Sequence, residues 1–101
     1  MNNKYALKTE IKKSGDAVYF SQLDIFRLFI RALRRSGLPI LYTNGFNPHP
    51  KINMGEALKL GKKGILNIIF YFETLVPPEE FKEKFSSQIP QGLEIVSVTP
   101  L

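Results

Sequence analysis

The residues best equipped for chemistry lie in one stretch, Tyr42-Thr43-Asn44-Gly45-Phe46-Asn47-Pro48-His49-Pro50-Lys51. His49 is the chain's one histidine, and imidazole is the side chain best suited to moving a proton near neutral pH. With Lys51 or a helix arginine beside it, His49 could serve as acid or base on a phosphodiester, as in a metal-independent ribonuclease. Alternatively, the ring packs or hydrogen-bonds to hold a turn between two rigid prolines. Asn44, Gly45, Phe46 and Asn47 could present backbone N–H groups and two amides to a ligand, because glycine permits close approach and positive φ. Asn-Gly is equally a tight-turn pair. Phe46, in so polar a loop, is either a plug into the core or a stacking surface for a base.

A second candidate is cationic. Arg27, Arg31, Arg34 and Arg35 recur at helical spacing, and guanidinium groups offer forked, permanently charged donors suited to phosphate. The competing reading is a solvated face with intrahelical pairing, which Asp24 stands close enough to support. The charge of the whole chain is +5, unevenly placed: residues 1–63 carry twelve basic and four acidic side chains, whereas residues 64–101 carry two and five. Such a one-sided field favours polyanion partners, RNA or an acidic protein surface, or serves solubility alone. The chain has no cysteine, which removes disulfides, thiolate nucleophiles and iron–sulfur ligation, and no metal or cofactor site is expected. No apolar run is long enough to span a bilayer and no secretory signal pattern opens the chain, so a cytoplasmic address without membrane contact is expected.

Elements must position these groups. Residues 5–12 alternate Tyr5, Leu7, Thr9 and Ile11 with Lys8, Glu10 and Lys12, the pattern of a half-buried strand. Ser14-Gly15-Asp16 reads as a turn and residues 17–20 as a short extended piece. Ser21 with Asp24 makes a capping-box start, and Gly37 followed by Pro39 a stop, bracketing a helix over residues 22–36. Two apolar stripes run along it: Leu23, Phe26, Ile30 and Leu33, and beside them Ile25, Phe29 and Ala32. Residues 38–42 read as a second strand and 65–73 as a central third strand. Pro77-Pro78-Glu79-Glu80 opens a helix over 78–89, with Phe81, Phe85 and Ile89 on its core face. Residues 93–98 close the fold as a last strand. The order β-α-β-β-α-β predicts an α+β, ferredoxin-like antiparallel sandwich with an elaborated loop at about 43–64, where residues 51–54 could pair as an extra strand.

Three motifs carry a resemblance: Ser21-Gln22-Leu23-Asp24, the run Arg31-Ala32-Leu33-Arg34-Arg35-Ser36-Gly37-Leu38-Pro39, and the loop that holds His49. Together, over residues 20–60, they resemble the radical SAM-linked proteins, a DUF2344-like family of uncharacterised bacterial domains found fused to or beside radical SAM enzymes. The family pattern runs approximately FLSHLD, RALRRAGLP and YSQGFNPHP. This chain departs from it at Gln22, where the pattern has histidine, and around residues 64–67, where acidic residues look replaced. Family members are longer, so residues 1–101 are expected to form one domain, the N-terminal part of a longer polypeptide.

A chain without cysteine cannot hold a radical SAM cluster itself. The resemblance therefore implies a non-catalytic accessory domain, working with a radical SAM enzyme in trans or by fusion, that recognises RNA or presents a substrate. A protein–protein docking module for that enzyme is the alternative, and a metal-independent ribonuclease built on His49 is a third reading.

Overall fold

The computed structural model describes residues 5–56, 61 and 63–101. Residues 57–60, where the motif match ends, and part of the 43–64 connection lie outside the described residues. Strand β1, Tyr5–Lys13, follows the period-two pattern: Leu7, Thr9, Ile11 and Lys13 are buried, while Lys8 and Lys12 face solvent. Helix α1, Gln22–Ser36, begins with the capping box. The Asp24 amide donates to Ser21 Oγ at 3.1 Å, and the Ser21 amide donates to the Asp24 carboxylate at 3.0 Å. It ends at Gly37, whose φ of 79° only glycine adopts without strain.

Strand β2 is two residues, Ile52–Asn53, followed by β3, Gly64–Phe72, helix α2, Pro78–Ser86, and β4, Leu93–Pro100. The sheet order is β2-β3-β1-β4, and every neighbouring pair is antiparallel. Phe70, on the inner face of β3, contacts Phe29 of α1 and Phe81 and Phe85 of α2. Both helices therefore cover the same face of the sheet, and the fold is the ferredoxin-like α+β sandwich that the sequence order predicts. The opposite face carries Lys8, Lys12, Asn67 and Thr99 exposed, with Ser97 Oγ donating to Glu10 Oε1 at 2.6 Å.

The second strand differs from the sequence expectation. Only Ile40 of residues 38–42 bridges β3, opposite Phe72, and the chain then leaves the sheet. Tyr42 bridges Pro50 across a protruding loop, after which Ile52 and Asn53 resume pairing opposite Phe70 and Ile69. The edge strand is thus split, and the 42–50 loop is inserted into it, because an edge needs partners on one side only and can shed a loop on the other. Residues 17–20 differ as well: Gly15–Tyr19 form a 3-10 turn that buries Ala17 completely. Helix α2 stops at Ser86, so Ile89 packs against the core from beyond its end.

One α1 stripe enters the core whole, and of the other only Leu33 does. Ile25, Phe29, Ala32 and Leu33 are buried, whereas Leu23 is 53% exposed and Phe26 and Ile30 are half-buried. Inside, Thr9 Oγ1 is buried without a hydrogen-bond partner among the described residues. Lys13, only 2% exposed, directs its ammonium to the Phe20 carbonyl at 2.8 Å.

Candidate functional site

Helix α1 lies over the sheet by its Ile25–Phe29–Ala32 side, so its opposite side must face solvent. Arg27, Arg31 and Arg34 are exposed there. From Arg27 to Arg34 they span about 10 Å of helix axis. Asp24, the acid nearest to them in sequence, is engaged elsewhere. Its hydrogen bonds with Ser21, backbone first and side chain second, hold its carboxyl below the usual range, with Arg27 adding a smaller electrostatic push in the same direction. The capping carboxylate is held at the helix start, and among the described residues no salt bridge joins Arg27, Arg31 or Arg34 to an acid. Arg27 and Arg31 also line an open depression of about 470 Å³, completed by Phe20, Asp24 and Leu28.

Arg35 stands apart from the ridge. Its Nε donates to Gln88 Oε1 at 2.9 Å and its Nη2 to the Gln88 carbonyl at 3.1 Å, just past the end of α2. This fork ties the C-terminal ends of the two helices together, where a cation also suits the helix dipole. Sequence reasoning placed Arg35 with the other arginines because its partner is far along the chain.

The 42–50 loop stands beside α1. The Thr43 amide donates to the His49 carbonyl at 2.8 Å, and the His49 amide donates to Thr43 Oγ1 at 3.2 Å, closing its root. The His49 ring meets Phe26 edge-on, centroids 5.7 Å apart, and Nδ1 donates to the Pro50 carbonyl at 3.1 Å, which puts the proton on that nitrogen. Among the described residues, no carboxylate, lysine or arginine hydrogen-bonds this ring. At the tip, Asn44, Gly45, Phe46 and Asn47 are all exposed, with Gly45 at φ 122°. Phe46 does not plug the core: its exposure is 103%.

Lys51 is separated from the loop's other candidates. Its ammonium lies 4.8 Å from the centroid of Tyr71, on the helix-free face of the sheet. The candidates therefore divide into an arginine ridge with the loop tip beside it, a structural fork at Arg35 and a cation–aromatic pair at Lys51. Leu23, Phe26 and Ile30, read from sequence as an apolar stripe, form the surface between ridge and loop. Among the described residues, no cluster of histidine and acidic side chains could hold a metal ion, and no helix is long and apolar enough to cross a membrane.

The family described as an uncharacterized protein conserved in bacteria (DUF2344) matches the chain over residues 6–101. No curated protein and no solved structure matches it.

Proposed function

We propose, for a chain that belongs to the DUF2344 family of uncharacterized bacterial proteins, a non-catalytic accessory domain that recognises RNA through the outer side of α1. The observation that carries this reading is the exposure of Arg27, Arg31 and Arg34 along one side of the helix, while the nearest acid is held in a cap. Arginines that make no hydrogen bond among the described residues keep their forked donors available to phosphate oxygens. The radical SAM enzyme is the catalyst that the motif resemblance supplies, acting on the RNA that this domain would hold.

His49 takes no catalytic part in the proposal. Its ring packs on Phe26 and bonds the Pro50 carbonyl, and among the described residues no acidic or cationic side chain hydrogen-bonds it to complete an acid–base pair. A docking surface for the enzyme is the second reading, favoured by the 53% exposure of Leu23 beside Phe26 and Ile30.

Charge and apolar contact separate the two. Replacing Arg27, Arg31 and Arg34 together by Gln is expected to weaken RNA binding and to flatten its dependence on log salt by about 2, from roughly 0.7 per phosphate contact on a single strand. Melting temperature should barely move, since exposed charges contribute little to stability. Equal affinity of parent and triple variant at several salt concentrations would remove the ridge from the function and leave docking as the better reading.

A further inference from the structure

The arginine ridge leaves the protruding loop unexplained. Phe46 is 103% exposed, yet it sits on a fixed root, held by the Thr43–His49 hydrogen bonds, the Tyr42–Pro50 bridge and the His49 ring against Phe26. A phenyl ring presented this way does nothing for the core. Two residues, Asn47 and Pro48, separate it from His49, so its Cα lies within about 11 Å of the Cα of that anchor.

The surface between loop and ridge is apolar. At 100° per residue, Phe26, Ile30 and Leu23 occupy an arc of about 60° on α1, with Arg34 and Arg27 about 20° and 40° beyond Leu23. His49 touches the arc at its other border, through Phe26. Leu23 is 53% exposed, and Tyr42, at the loop's root, is 44% exposed. The order across the surface is therefore aromatic loop, apolar shelf, cationic ridge.

Resting on the RNA-binding reading above, we infer that this site takes unpaired RNA, with its phosphates on Arg27, Arg31 and Arg34, its bases toward the Leu23–Phe26–Ile30 shelf and one base stacked on Phe46. A paired strand turns its bases inward and offers mainly phosphate and ribose, which the shelf cannot use. An unpaired strand exposes apolar base faces on one side and charge on the other, matching both borders of the shelf. Asn44 and Asn47 flank Phe46 with exposed amides that can pair with base edges. In lipid the same amides would lose water without gaining partners, which disfavours a membrane as the occupant.

The test uses three probes on the whole chain: a short labelled single-stranded RNA without self-complementarity, the same RNA annealed to its complement, and vesicles containing phosphatidylglycerol. The parent is expected to bind the single strand about tenfold or more tighter than the duplex. Phe46→Ala should weaken single-strand binding by about tenfold, leave duplex binding and the salt slope as they are, and keep the fold, because the ring it removes lies in solvent. If Phe46→Ala binds the single strand like the parent while the triple arginine variant is weakened, the stacking inference fails and the RNA reading stands. Duplex bound as tightly as the single strand overturns the inference too, as does Phe46-dependent binding to the vesicles without preference for unpaired RNA. A parent that binds neither RNA sinks the reading on which the inference rests.

Discussion

Phe70→Ala is expected to cost about 3–5 kcal/mol, a large share of the stability of a domain this small. Phe70 is completely buried on the central strand β3. Its ring centroid lies 5.7 Å from Phe29, 5.1 Å from Phe81 and 5.0 Å from Phe85. It therefore joins both helices to the sheet, and truncation leaves a cavity that none of the three elements can fill without moving. Urea denaturation measures the loss, with Tyr71→Ala, from the half-buried opposite face, as the comparison. A loss for Phe70→Ala below about 1 kcal/mol would contradict the packing of both helices over β3.

Lys13→Ala is expected to cost about 2–4 kcal/mol, far more than a lysine replacement on a surface. The side chain is 2% exposed, so its stem is packed, and its removal also strips the Phe20 carbonyl of its donor. Burial pushes the Lys13 ammonium below its ordinary value of 10.5. The sign follows from proton binding: between the lowered folded value and 10.5 the unfolded chain binds more protons, so the parent gains stability as pH rises through that window. Lys13→Ala lacks this gain, and the gap between variant and parent should widen toward alkaline pH. A gap that narrows as pH approaches 10.5 would mean that Lys13 is stabilised as a cation in the fold.

Lys13 also marks a limit of sequence reading. The alternation Tyr5, Leu7, Thr9, Ile11 points inward at its next step to Lys13, but a strand ended at residue 12 hides this, because a lysine looks like a strand boundary. What local chemistry controls was legible. The capping box and Gly37 bracket α1 at the residues observed, since both act through groups within three residues of the helix end. The apolar density of β3 on both faces marked it as central, with β2 on one side and β1 on the other.

What depends on distant partners was not legible. Two adjacent stripes on α1 are equally apolar, and only the placement of the sheet decides that Ile25 and Phe29 go inside while Leu23 stays out. The split edge strand could not be read from residues 38–42, because its continuation depends on β3 accepting Ile52 opposite Phe70 after the loop. Arg35 looked like part of the ridge until Gln88 was placed beside it. Phe46 in a polar loop allowed two opposite expectations, and the root contacts of the loop, not its composition, put the ring in solvent.

Photo-crosslinking the whole chain to a single-stranded RNA, with the attached peptides identified by mass spectrometry, addresses the proposed RNA surface most directly. Crosslinks are expected on α1 at Arg27, Arg31 or Arg34 and on the loop at Phe46, two elements that approach each other through Phe26 and His49. They should disappear together as salt is raised, because phosphate contacts dominate the affinity. Crosslinks confined to the helix-free face, around Lys8, Lys12 and Lys51, or none at RNA concentrations that saturate binding, would contradict recognition through α1.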